Sequence, residues 1–151
     1  MAVKIVQVSH TDTDLHRLIQ KLDEDLAQRY TAEEVFTVDF SDPGIEQIVF
    51  VVAYEQGEPV GCGAIKPLDE EYIELKRFYV SPEFRRNGIA AQVLKDLEAR
   101  AKDMNYQYIR LEAGAPQPEA LHFYKKHHYY EIDRYGEYIS CDSSLCFEKK
   151  L

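Results

Sequence analysis

The chain has 151 residues, 45% of them apolar and 30% charged, and its 18 basic and 27 acidic side chains give a formal charge of −9. That length fits one domain spanning residues 1–151, and that balance is too apolar for a disordered chain. The negative charge repels phosphate backbones, which excludes a broad nucleic-acid-binding face while leaving room for a small local anion site.

Taken in chain order, Val3 to Val8 reads as a short strand, and polar residues 9–14 supply candidate N-caps. Leu15, Leu18, Ile19, Leu22 and Leu26 then repeat at helical spacing, predicting an amphipathic helix that runs to about Tyr30. Glu33, Glu34, Val35 and Phe36 suggest a second short helix, ended by Asp42-Pro43-Gly44. Residues 48–54 are continuously apolar and β-branched, as expected of a strand covered on both faces. A Gly57-Glu58 turn leads into an antiparallel partner over 59–65, where Gly61, Cys62, Gly63 and Ala64 are small enough for something to pack closely on them. Tyr72 to Val80 is the next strand, stopped by Ser81-Pro82.

Ile89, Val93, Leu94, Leu97, Ala101 and Met104 mark a long helix. A strand over 108–113, a helix over 119–127 and strands over 129–132 and 145–148 complete the chain. Antiparallel hairpins in the middle, with helices entering between later strands, predict an α+β (mixed α/β) fold with helices on both faces of a mixed sheet. No stretch approaches the roughly 18–20 apolar residues that span a bilayer. The first five residues lack the features of a secretory leader. Cys62, Cys141 and Cys146 are odd in number and stand in no metal-binding spacing. A cytoplasmic protein with reduced thiols, no metal and no membrane partner is the expectation.

The segment 80–90 carries the chemistry. A strand ends at Ser81-Pro82 and an amphipathic helix opens near Gly88, with Arg85, Arg86 and Asn87 just before it. A helix N-terminus presents unpaired N–H groups and a partial positive charge, so it binds anions. Gly88 removes a side chain that would hold a phosphate away, and the two arginines add charge. Asn87-Gly88 could instead be a hairpin turn, but residues 89–104 have helical rather than alternating spacing. Neither GxxxxGK[ST] nor GxGxxG is present, so nucleotide triphosphate and dinucleotide loops are unsupported.

Arg85-Arg86-Asn87-Gly88-Ile89-Ala90 resembles the R/Q-x-x-G-x-G/A signature of the GNAT superfamily of N-acetyltransferases. It follows a strand reading Glu74-Leu75-Lys76-Arg77-Phe78-Tyr79-Val80, and residues 118–126 resemble the later family helix that carries a tyrosine. The resemblance implies a mostly antiparallel sheet of about six to seven strands, and acetyl-CoA bound where the fourth and fifth strands splay apart. It implies that the backbone of Phe78, Tyr79 and Val80 pairs with the pantetheine arm and that Arg85, Arg86, Asn87, Gly88, Ile89 and Ala90 hold the pyrophosphate. A backbone N–H near Phe78 or Tyr79 would meet the thioester oxygen. Two positions depart from the pattern: Ala90 replaces a frequent glycine, and Gln117 replaces the asparagine that contacts pantetheine in many members.

The implied reaction is attack of a primary amine, on a small molecule or peptide, upon the thioester. The rival reading is a non-catalytic acyl-CoA-binding or sensor module. The resemblance makes Tyr124 the acid that protonates the departing thiolate, and a core-facing aromatic is its plainer reading. Alternation puts Glu74 on one strand face with Tyr72 and Lys76, making it a candidate base, directly or through water, or else half of a surface pair with Lys76. Glu112, sharing a face with Arg110, is the rival base. His127 and His128 fit a helix C-terminus, where positive charge is favoured. Glu137, Asp133 and Asp142 on one expected rim, with Glu33, Glu34 and Asp39 on the other, point to a cationic acceptor. A monomer or homodimer is expected.

Overall fold

The computed structural model describes residues 3–85 and 87–151. Seven strands form one sheet in the order β1-β2-β3-β4-β5-β7-β6. They are β1 (Val3–Val8), β2 (Val49–Glu55), β3 (Glu58–Pro67), β4 (Tyr72–Val80), β5 (Tyr108–Gly114), β6 (Tyr130–Ile132) and β7 (Ser144–Lys150). Three α-helices, α1 (Thr13–Ala27), α2 (Ile89–Asp103) and α3 (Pro118–Lys126), cover the two faces. Every neighbouring pair is antiparallel except β4 and β5, which run parallel.

The helical stripe read from the sequence becomes the buried face of α1. Asp12 caps the helix by accepting from the Leu15 amide at 3.0 Å, and Leu15, Leu18, Ile19 and Leu22 are buried against Phe50, Val52, Cys62 and Ala64. On the other face, Ile89, Val93, Leu94, Leu97 and Ala101 of α2 meet Val51, Ala53, Ile65 and Leu75. β2 is therefore buried from both sides, as its unbroken apolar run requires. Of the small residues of β3, Cys62 and Ala64 face α1, and Gly63 is where α2 presses in. A Cβ on Gly63 would stand 2.7 Å from the tip of Leu97.

The second helix expected between residues 31 and 44 does not form. Thr31 and Glu34 make a capping box around one 3₁₀ turn, Ala32–Glu34, and Asp42 opens another, Pro43–Gln47. Between them lie Val35, Phe36, Thr37 and Val38, which are poor helix formers, and Val38 is drawn into the core beside α1.

Two irregularities in β4 create the site. Arg77 adopts φ 53°, and the register against β3 shifts between Cys62 and Ala64, the signature of a bulge. β4 pairs with β5 only from Tyr72 to Glu74, opposite Tyr108 to Arg110. Beyond that point β5 stays paired with β7 as far as Gly114 while β4 leaves it. The fourth and fifth strands splay apart, as the resemblance implies.

Candidate active site

The split opens a cavity of about 730 Å³ that passes between the sheet's two parallel strands. Phe78, Tyr79 and Val80 of β4 line one wall, Leu111, Glu112 and Ala113 of β5 the other, and α3 closes the side with Ala120, Phe123 and Tyr124. At one end stand Arg85, Gly88 and Ala90, and at the other Tyr30, Glu34, Phe36, Lys76 and Tyr138. Of the residues singled out in the sequence, Phe78, Tyr79, Val80, Arg85, Gly88, Ala90, Gln117 and Tyr124 meet in this cavity.

The anion end is built by a change of backbone. Gly88 is the N-cap of α2 with φ 77°, and among the described residues nothing lies within 4 Å of where its Cβ would be. Glycine is thus demanded here by the left-handed conformation rather than by crowding within the protein. Among the described residues the first helical bond runs from the Gln92 amide to the Gly88 carbonyl at 3.1 Å, and the amides of a helix's first turn point outward, toward any ligand there. Arg85 folds back so that its Nε donates to the Val80 carbonyl at 2.9 Å, with its guanidinium 5.7 Å from the Tyr79 ring centre. That bond uses one of five N–H donors. Asn87 is exposed, whereas the Ile89 side chain is in the core and offers the site only its backbone. Arg86 lies outside the described residues.

Tyr124 is buried, its ring packed with Phe78, Phe123 and Tyr129. Burial, then the negative charge of Glu112, push its phenol well above the ordinary tyrosine range, so it stays protonated at neutral pH. Across the cleft, Tyr30 donates to the Gln117 side-chain oxygen at 2.8 Å and lies so close over Gly114 that a Cβ there would overlap its hydroxyl. Arg29 beside it pairs with Glu119 and donates to the Pro116 carbonyl. The end of α1 is thereby tied to the start of α3, and the Gln117 amide oxygen is already bound to Tyr30.

Glu74 and Lys76 do form a pair, with 3.6 Å between Lys76 Nζ and Glu74 Oε1, but it is buried rather than on the surface. Tyr135 donates to Glu74 Oε2 at 2.6 Å, and Lys76 Nζ donates to the Tyr138 hydroxyl at 3.2 Å. Lys76 and Tyr138 face the cavity, while Glu74 is held behind them and is not part of its wall. Glu112 does line the wall. Ser144 Oγ donates to its Oε2 at 2.7 Å, and burial raises its carboxyl above the usual range against the opposing pull of Ser144 and Lys76. His127 caps the end of α3 and borders the cavity, its imidazole pushed down by burial.

The cover over the acceptor end was only partly legible. Residues 133–143 wrap over the face that carries Glu74, Lys76 and Glu112, and Tyr135 and Tyr138 close on it edge to face, 5.3 Å between ring centres. The available signal was the pair of charged residues, Glu74 and Lys76, inside an otherwise apolar strand, since buried charges demand partners. Of the acidic residues expected on two rims, Glu33, Glu34, Glu137 and Asp142 meet around a neighbouring pocket of about 500 Å³, while Asp39 and Asp133 do not line it.

A cleft that runs from a helix N-terminus, through a gap in the sheet, to buried Tyr124 and half-buried Glu112 suits a long phosphorylated thioester, as an acyl transferase requires. The chain matches the acetyltransferase (GNAT) family profile over residues 14–129. It is 32% identical to the IAA acetyltransferase of Azospirillum brasilense, across 99% of this chain and 98% of that protein. Its fold aligns with that of a Klebsiella pneumoniae protein described as an acyl-CoA N-acyltransferase, at TM-score 0.87 and 29% identity over 99% and 97% of the two chains. A GNAT acetyltransferase from Elizabethkingia anophelis, solved with acetyl-CoA bound, shares the fold at TM-score 0.73 and 20% identity over 99% and 98%. This chain belongs to the GNAT acetyltransferase family and is an N-acetyltransferase.

Proposed function

We propose that the protein transfers the acetyl group of acetyl-CoA to a primary amine of a small molecule or peptide, by direct attack within a ternary complex. The observation that carries this reading is the split of β4 from β5 past Glu74 and Arg110, which opens one cavity lined both by the N-terminus of α2 and by Tyr124. The acetyl-CoA bound to the Elizabethkingia anophelis relative supports the choice of donor.

Each part of the cofactor meets matching chemistry. The pyrophosphate sits at the open amides of α2 beside Arg85, with Arg86 and Asn87 next in sequence. The pantetheine arm lies along Phe78, Tyr79 and Val80, whose edge toward β5 is unpaired, as an added strand would. A backbone amide of that edge polarises the thioester oxygen. Gln117 reaches pantetheine only if it exchanges or shares its bond to Tyr30.

The acceptor enters from the end lined by Tyr30, Phe36, Lys76 and Tyr138. An alkyl ammonium, with a pKa of roughly 10, must lose a proton before its nitrogen can attack. Tyr124 then supplies a proton to the thiolate as the carbon–sulfur bond breaks. Glu74 acts at one remove, fixing Lys76 and Tyr138 in the acceptor wall. The acidic side chains around the neighbouring pocket, which shares Glu34 and Phe36 with this end, favour a cationic acceptor.

The test is release of CoA thiol from acetyl-CoA with spermidine, glucosamine, phenethylamine and a lysine-rich peptide, each at low and high salt. Amine-dependent release is expected, fastest with the more highly charged acceptors and falling as salt rises. Tight binding of acetyl-CoA with no release by any amine would favour the non-catalytic module, and a winning neutral or anionic acceptor would overturn the charge assignment.

A further inference from the structure

Among the carboxylates near the acceptor end of the split, Glu34, Glu74 and Glu112 are held in three different ways. Glu34 is committed to its own turn: its Oε1 accepts from the Thr31 amide at 2.9 Å and its Oε2 from Ser143 Oγ at 2.5 Å. Glu74 is 2% exposed and enclosed by Tyr135 and Lys76, behind the cavity wall. Glu112 alone of the three combines burial with an open approach. It projects from the β5 wall just past the last paired residue, Arg110, and its one hydrogen bond among the described residues goes from Ser144 to Oε2. Its other oxygen is available to a ligand.

We propose that Glu112 is the catalytic base that takes the proton from the acceptor's ammonium, with Ser144 as the residue that positions it. This rests on the amine-acetylation reading above. Tyr124 and Glu112 both border the same cavity, one from α3 and one from β5, so acid and base face the reacting atoms from two sides. The groups facing Glu112 are Lys76 and Glu74 of β4, Glu137 and Tyr138 of the covering turn, Tyr30 after α1, Tyr124 of α3, and Ser144 and Cys146 of β7. Burial, helped by the negative charges of Glu74 and Glu137 and opposed by Ser144 and Lys76, raises the carboxyl, which moves it toward the pKa of a base working near neutrality.

The steps balance. The ammonium gives one proton to Glu112, and the free nitrogen lone pair forms the bond to the thioester carbon. The tetrahedral adduct collapses, the carbon–sulfur bond breaks, and the sulfur takes the Tyr124 proton. The remaining extra proton on the new amide nitrogen returns to the Tyr124 oxygen, and Glu112 releases its own to solvent.

The test compares kcat/KM against pH for the wild type, Glu112→Gln and Ser144→Ala, using whichever of spermidine, glucosamine or phenethylamine turns over fastest. Glu112→Gln should lose roughly 10²-fold at pH 7. That deficit should close as the pH passes the amine's own pKa, because the free base needs no help. Ser144→Ala removes a donor that stabilises the charged carboxylate, so its acid limb should move to higher pH even if the glutamine variant fails to fold. A loss in Glu112→Gln that is constant with pH, or a wild-type limb in Ser144→Ala, would overturn the assignment while leaving amine acetylation intact. Failure of the wild type to acetylate any of the three amines, with acetyl-CoA bound, would overturn the underlying reading instead.

Discussion

At Tyr124 the ring and the hydroxyl have separate duties. The ring fills space among Phe78, Phe123 and Tyr129, while the hydroxyl makes no hydrogen bond with a described residue and the side chain as a whole borders the cavity. Tyr124→Phe therefore keeps the packing and leaves no partner stranded, so stability should hold. Turnover should fall by roughly 10²–10⁴, the range for a lost general acid, while acetyl-CoA affinity in a titration stays near wild type. A wild-type rate would make Tyr124 a packing residue only. This tyrosine was legible because its segment resembles a known helix. The proposed base was less so, since strand alternation fixes which face a carboxylate takes but not whether a neighbour such as Tyr135 will cover it. Only the folded chain separates enclosed Glu74 from open Glu112.

At the scale of elements, the junction between β4 and α2 is the most legible part of the chain, because glycine, caps and helical spacing coincide there. Gly88 supports a direct check. With φ 77° and open space around it, Gly88→Ala should cost about 1–2 kcal/mol, the penalty of a left-handed residue bearing a Cβ, measurable by chemical denaturation. Gly88→Asn should cost less, since asparagine visits that region more readily; equal stability of all three would contradict the backbone account. The stretch from 31 to 44 was illegible for the opposite reason: a good capping box is followed by β-branched and aromatic residues that tertiary contacts, not local preference, place. The bulge at Arg77 had no local signal either. It is held from outside, by the Arg77 ion pair to Asp23 of α1 at 2.7 Å and by the Cys62 thiol donating to its carbonyl at 3.3 Å.

Across the whole molecule, the order of strands decides what the site can do. Parallel neighbours need a crossover, here α2, and the N-terminus of that crossover lies at the mouth of the gap where β4 and β5 part. On the reading proposed above, the same gap takes an extended thioester from the helix side and an amine from the side covered by Tyr135 and Tyr138. That reading has donor and acceptor present together, with no acetylated protein nucleophile: Cys62 and Cys146 are buried with their thiols pushed up to about 12 and about 11, Cys141, its thiol lowered by hydrogen bonds to Ser143 and Ser144, borders the neighbouring pocket, and none of the three lines the cavity. Initial rates of CoA release, measured over a grid of acetyl-CoA and amine concentrations, test this most directly. The account predicts double-reciprocal lines that intersect, the pattern of a ternary complex. Parallel lines, the fingerprint of a covalent acetyl-enzyme formed before the amine binds, would contradict it.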